Sequence, residues 1–150
     1  MLLDTAVTLH GGGGFVETQC NQRTFEFQQV GRREIVARFD GGRVTSDAGG
    51  ILLREVEDRF RFVERFAACF TDHRDPECIE HSLVDLLKQR LFGLCLGYED
   101  LNDHDWLRHD ALLATLVGKL DPEGNDRQNP RDKGKALAGK STLNRLELTP

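Results

Sequence analysis

The chain predicts an α+β fold, mainly α, in which an N-terminal β-hairpin precedes a small helical domain. Three observations carry that expectation. One stretch alternates apolar and polar residues around Gly31, several later stretches repeat apolar residues at steps of three and four, and a long polar segment separates the last two helical patterns. With 150 residues, 39% of them apolar and 30% charged, the composition is that of a soluble globular chain with one ordinary core.

Taken in order, residues 1–19 read as a disordered leader, with Gly11 to Gly14 as a flexible joint. The stretch lacks a basic start and Asp4 interrupts its apolar patch, so it is a poor signal peptide. From Phe25 to Phe39, FEFQQVGRREIVARF gives two short strands with a turn at Gly31, and Gly41 and Gly42 break the second. Thr45, Ser46 and Asp47 offer caps for a helix whose core face would carry Leu52, Val56, Phe60, Val63, Phe66 and Phe70, with a bend or break near Arg61. A central helix is expected from Asp75 to Gly97, buried along Ile79, Leu83, Leu86, Leu87, Leu91 and Leu94. Asp75 would cap it, Pro76 would fill its first turn, and Gly97 would take the left-handed position that closes it.

A third helical stretch runs from about Asp103 to Val117, with Trp106, Leu107, Leu112, Leu113 and Leu116 on its apolar side and Asp110 as an internal cap. Residues 119–140 read as an exposed basic loop, because Asp121 to Lys135 hold two prolines, two glycines and no apolar residue. Ser141 or Thr142 would then cap a final helix within 141–150. The domain organisation expected is thus a leader 1–19, a hairpin-plus-helical domain 20–118, a basic loop 119–140 and the start of a further helix 141–150.

The formal net charge of -5 argues against a chain that coats nucleic acid indiscriminately. Charge is unevenly spread, however: Arg131, Lys133, Lys135, Lys140 and Arg145 face only Asp132 over fifteen residues, the one basic surface in prospect. Cys20, Cys69, Cys78 and Cys95 form no C-x-x-C pair and read as reduced, mostly buried thiols of a cytoplasmic protein. No apolar run approaches the roughly 18 residues a membrane span needs.

Three constellations invite chemistry. Gly134 to Ser141, GKALAGKS, satisfies the phosphate-loop pattern, yet GNDRQNPRDK before it cannot be the buried strand that aims such a loop. A basic loop entering a capped helix is the competing reading. Cys69, His73, Cys78 and His81 have zinc-ligand chemistry at a spacing unlike the usual pairs, against which stands a buried free thiol. Glu99, Asp100, Asp103, Asp105 and Asp110, with His104 and His109, crowd one helix and its entry turn. Two-ion sites need carboxylates converging from separate elements, so caps and a solvated face are the expected roles here. Asp72, His73, Arg74 and Asp75 are expected to form local caps and ion pairs, and no nucleophile motif such as G-x-S-x-G is present.

The phrases FEFQ, GRREIVARFDGGRVTSDAGGILLREVE, RFAACFTDHRDPECIEHSLVDLLKQRLFGLCLGYEDLNDHDWLRHD and LAGKSTLNRLELTP resemble the front part of a bacterial insertion-sequence transposase. The group is the one numbered thirteen-eighty in the DDE superfamily, and the likeness runs in register from about Cys20 to Pro150. It implies a DNA transposase in which three carboxylates on an RNase-H-like core hold two Mg²⁺ ions that activate water, then a DNA 3′-hydroxyl, for attack on phosphodiesters. In that family the first catalytic Asp follows the segment resembling LAGKSTLNRLE. The resemblance therefore assigns no catalytic or metal-binding role to Asp72, Asp75, Asp100, Asp103 or Asp105, and it implies an N-terminal portion without its own triad. Mg²⁺ is implied for the intact transposase only.

The implied partners are transposon-end DNA and, in the intact protein, a second copy, with no nucleotide and no membrane. Arg131, Lys133, Lys135, Lys140 and Arg145 are the candidate phosphate contacts. The alternative is a truncated transposase acting as a dimerising interaction module or inhibitor rather than an enzyme.

Overall fold

The computed structural model describes residues 24–38 and 45–148; the expectations on the leader, Cys20, Phe39 and the glycines at 41 and 42 fall outside them. The chain divides into two compact units, Met1–Ala48 and Gly49–Pro150.

In the first unit β1 (Thr24–Val30) pairs antiparallel with β2 (Arg33–Arg38). Phe25 faces Ala37 and Phe27 faces Ile35, but Val30 then faces Arg33, so two residues of β1 stand against one of β2. Such a bulge sharpens the local twist just before the turn, where Gly31 has φ 61°. Val30, Ile35 and Val36 are buried. Of the three proposed caps, Thr45 instead accepts the Asp47 N–H on its Oγ1 at 3.1 Å and Ser46 bonds Asp47.

The second unit holds six α-helices among the described residues: α1 (Gly50–Phe60), α2 (Phe62–Ala67), α3 (Leu83–Cys95), α4 (His104–Leu107), α5 (Ala111–Val117) and α6 (Lys140–Leu148). Short 3-10 turns lie at Pro76–Cys78, Leu101–Asp103 and Pro130–Asp132. The hairpin-then-helices fold is therefore the α+β, mainly α class that the sequence predicts. The central helix is α3, which packs on α1, α2, α5 and α6. Leu86, Phe92, Leu107, Leu112, Leu113, Leu116, Leu137 and Leu143 form much of the core, each worth about 1.5–3 kcal/mol when fully buried.

Several boundaries differ from the sequence reading. Helix α3 starts at Leu83, not beside Asp75, because Ser82 and Asp85 make a reciprocal capping box: the Asp85 N–H donates to Ser82 Oγ at 3.1 Å. Asp75 caps the preceding 3-10 turn instead, through Glu77 N–H. Gly97 closes α3 at φ 95°, and Tyr98 N–H returns to Gly93 O at 2.9 Å. Asp110 does restart the third helical stretch, accepting Leu113 N–H at 2.7 Å. Helix α6 begins at Lys140, before the two residues expected to cap it.

The expected core face of the first helix is corrected most heavily. Helix α1 does break at Arg61, which is left-handed at φ 50°, but among Leu52, Val56, Phe60, Val63, Phe66 and Phe70 only Val63 is buried. The face turned to α3 and α5 carries Ile51, Arg54 and Glu57. Glu57 explains the turn. Its backbone carbonyl accepts Arg61 N–H and its carboxylate Oε2 accepts Val63 N–H at 3.0 Å, capping α2 from inside the core. Lys88 Nζ stands 3.8 Å from both Glu57 and Glu64 and supplies the opposing charge.

Trp106, placed on the apolar side of its helix by periodicity, is 83% exposed. Cys69, Cys78 and Cys95 are free but exposed rather than buried. No helix among the described residues is long and apolar enough to cross a membrane.

Candidate nucleic-acid interface

The segment from Lys119 to Gly139 has the charge expected of it but not the looseness. Ala136, Leu137 and Ala138, inside what the sequence presents as an exposed loop, are buried. Gln89 holds them. It is a buried amide on α3 whose Nε2 donates to Ala138 O at 2.8 Å while its Oε1 accepts Ala138 N–H at 3.0 Å. Ala138 lies outside any helix or strand, so this amide supplies the pairing that its buried backbone requires. The same Nε2 lies 3.1 Å from His104 Nδ1. With Gln89 as donor, the wholly buried His104 is the neutral tautomer carrying its proton on Nε2. Burial first, and then the charge of Arg90, lowers its pKa.

Arg127 is the second anchor. Its Nη1 donates to His81 Nε2 at 2.7 Å and to Lys135 O at 2.9 Å, and its Nη2 donates to Glu80 Oε2 at 2.7 Å. Burial pushes the His81 pKa down to about 4, helped by the charges of Lys119 and Arg127 against the opposing pull of Asp85 and Glu80. The loop is folded on itself as well. Asp121 accepts the N–H groups of Glu123, Asn125 and Asp126, and Gly134 N–H bonds Gly124 O at 3.1 Å. Gly124 has φ 71°, and a Cβ there would lie 2.5 Å from Ala136 N, so only glycine fits.

On this fixed frame the five candidate cations divide. Arg131, its side chain 82% exposed, and the exposed Lys133 face solvent. Lys135 is partly used internally, donating to Arg131 O at 2.8 Å and lying 3.4 Å from Asp132. Asp132 also meets Arg108 Nη2 at 3.5 Å and Arg131 Nε at 3.6 Å, so three cations share one carboxylate. Burial raises the Asp132 pKa, but the Lys135 hydrogen bond and the charges of Lys135, Arg127 and Arg131 outweigh it and hold the group below its usual value. Lys140 stands on the far side of Gly139, its Nζ donating to Asn102 Oδ1 at 3.0 Å and lying 3.6 Å from Asp105. Arg145 is exposed on α6. The structure thus gathers Arg131 and Lys135 around Asp132, ties Lys140 to α4, and sets Arg145 more than a helical turn further along.

Sequence reasoning missed Arg108 and Arg127, whose side-chain partners Asp132, His81 and Glu80 are 24 to 47 residues away and leave no local trace. It also missed Gln89, although a Gln three residues from both Leu86 and Phe92 was a signal that a buried amide was in play. Beside the loop lies a cleft of about 400 Å³ lined by Tyr98, Asp103, Trp106, Leu107, His109 and Asp110, and His109 Nδ1 sits 2.8 Å from Gly134 O.

The other constellations take structural roles. In the GKALAGKS stretch Leu137 N–H bonds Arg108 O, Ala138 N–H bonds Gln89 and Lys140 N–H bonds Asp105, so the amides a phosphate loop would aim at a nucleotide are already occupied. Cys69 Sγ donates to Arg65 O, Cys78 Sγ to Asp75, and His81 is engaged by Arg127. Arg74 grips Asp72 through two nitrogens, at 2.8 and 2.6 Å, and this hydrogen bonding brings Asp72 to about 2. Asp75, Asp100 and Asp110 cap turns or helices and Asp105 faces Lys140. No group of three or more His, Cys, Asp or Glu among the described residues is placed to hold a metal ion.

Residues 27–150 match the family model described as Transposase DDE domain group 1, and the chain belongs to that family. The match begins within β1 and takes in the whole helical unit, and it gives the chain a role in DNA transposition. No curated protein and no solved structure matches the chain.

Proposed function

We propose that this region serves transposition by holding DNA, at transposon ends or within a synaptic assembly, while the cutting carboxylates are supplied from elsewhere in the intact transposase. The observation that carries the reading is the placement of Arg131 and Lys133 in solvent on a loop pinned by Gln89 and Arg127. Exposed cations on a pinned loop neutralise phosphates without the cost of ordering the loop backbone, and they position a duplex without reading its sequence. Lys135, Lys140 and Arg145 are the further candidate phosphate contacts. The phrases quoted from the sequence support the narrower assignment to the thirteen-eighty group and to its N-terminal portion. Mg²⁺ belongs, on this reading, to the catalytic carboxylates of the intact enzyme, where it would activate the attacking oxygen.

A mobility-shift titration at several salt concentrations tests it. The wild-type chain should bind transposon-end duplex with an affinity that falls steeply as salt rises, and Arg131→Ala/Lys133→Ala should flatten the log–log slope by about 2. Equal slopes for the two proteins would remove these residues from the interface.

A further inference from the structure

The chain holds one tryptophan and one tyrosine, and both line the cleft of about 400 Å³ beside the basic loop. Helix α4 buries His104 and Leu107, so Trp106 between them looks outward, and at 83% it is the most exposed large apolar side chain among the described residues. Asp103 and Asp110 are the carboxylates of the cleft. Asp110 caps α5 through Leu113 N–H, whereas Asp103 makes no side-chain capping bond, which leaves its oxygens as acceptors. His109 joins the cleft to the loop. Its Nδ1 donates to Gly134 O at 2.8 Å, one residue along the chain from the exposed Lys133 and three from Arg131.

We infer that the cleft takes an unpaired base of DNA, stacked on the indole of Trp106 with its amino edge toward Asp103, while Lys133 and Arg131 hold the phosphates beside it. The inference rests on the DNA-holding reading and deepens it by adding a single-stranded element next to the duplex. Every base has a flat π face that an exposed aromatic ring can cover. Inside a duplex both faces are already covered by neighbouring bases, so the base that meets Trp106 is an unpaired one. The amino groups of cytosine and adenine donate hydrogen bonds, and a carboxylate is the acceptor that suits them. Charge sorts the ligand as well. The cleft is acidic and the adjoining loop is cationic, whereas a nucleotide carries its donors on the base and its negative charge on the phosphate, so each part meets its complement. An acidic peptide would be repelled by Asp103 and Asp110, and a basic one by Arg131 and Lys133. The volume of about 400 Å³ falls within the roughly 300–1,000 Å³ of small-ligand sites, room for a base and its sugar.

Because Trp106 is the sole tryptophan, its fluorescence reports on the cleft alone. The 150-residue chain is titrated with a blunt transposon-end duplex and with the same duplex carrying a short single-stranded tail of cytosines or of thymines. The cytosine-tailed duplex should bind about 5- to 150-fold more tightly than the blunt one and quench the Trp106 emission. Trp106→Ala should remove the gain that the tail brings, with the blunt duplex still bound through Arg131 and Lys133, and Trp106→Phe should restore most of it. The thymine tail should bind less tightly than the cytosine tail, and Asp103→Ala should erase that difference. Tailed and blunt duplexes bound alike, an emission indifferent to the tail, a tail preference that survives Trp106→Ala, or cytosine and thymine tails bound alike would each overturn the inference and leave the ring to a protein partner. The two readings fail distinguishably. If neither duplex binds, the DNA-holding reading falls and the stacking site with it; if the blunt duplex binds and the tail adds nothing, the stacking site alone falls.

Discussion

Helices α1 and α2 and the segment from Lys119 to Gly139 reach order by opposite routes. The helices turn five large apolar side chains to water and bury Arg54 and Glu57, each engaged by an opposite charge: Asp58 at 3.0 Å for Arg54 and Lys88 at 3.8 Å for Glu57. The segment is almost wholly polar, yet it is clamped by Gln89, Arg127 and Arg108 and buries three residues completely enough to join the core. The lesson is that apolar content does not decide what is fixed. Buried polar groups bonded across the chain, as Gln89 is to Ala138, fix a segment as a leucine stripe does, even though Arg108 Nε, Arg127 Nε and His104 Nε2 are buried without a hydrogen-bond partner.

That contrast can be broken by mutation, and the largest effect should fall on the clamp. Gln89→Ala removes two hydrogen bonds to Ala138 and the donor to His104, leaving buried backbone groups without partners. A loss of about 3–4 kcal/mol in urea denaturation is expected. Leu52→Ser, on the open face, should cost less than about 0.5 kcal/mol at concentrations where the chain is monomeric.

Acid should act nearly as strongly. The folded pKa of His81, about 4, lies below the ordinary 6.5, so between those values the unfolded chain binds the extra proton. The contribution of His81 is fully present above pH 6.5 and is lost as pH falls toward 4, a total of up to ~3 kcal/mol. His104, also lowered, adds to the loss in the same direction. Unfolding midpoints measured across pH 4 to 7 check this.

Arg127→Ala ranks next. It frees Glu80, His81 and the Lys135 carbonyl together, for an expected loss of about 2 kcal/mol. It also removes a cation facing His81, so the folded pKa of His81 should rise toward its ordinary value and the part of the acid loss that His81 carries should shrink. Smallest of all, Arg131→Ala/Lys133→Ala should leave stability within about 0.5 kcal/mol.

Much of the fold was legible in the sequence because it is local. Alternation around Gly31 gave the hairpin, Gly97 and Asp110 gave a helix end and a helix start, and the break at Arg61 was anticipated. Asp110 caps its helix as expected, whereas Asp75 and Asp100 cap short 3-10 turns rather than the helices the sequence reading gave them. What escaped is non-local. Periodicity identifies an amphipathic face on α1 but not whether this chain covers it, and Glu57 shows how a single internal cap can rotate that face outward. The bond between Gln89 and Ala138 spans 49 residues and that between Arg127 and His81 spans 46, distances at which composition reports only a polar loop. The candidate cations were legible as charge, whereas their division into solvent-facing and internally bonded groups was not.

Amide hydrogen exchange over residues 119–140 tests the anchored loop most directly. The N–H groups of Leu137, Ala138 and Lys140, held by Arg108, Gln89 and Asp105, should exchange as slowly as those of α3. Gln89→Ala should release all three. Fast exchange of these amides in the wild-type chain would contradict the account, since a loose segment could not present Arg131 and Lys133 as a fixed surface.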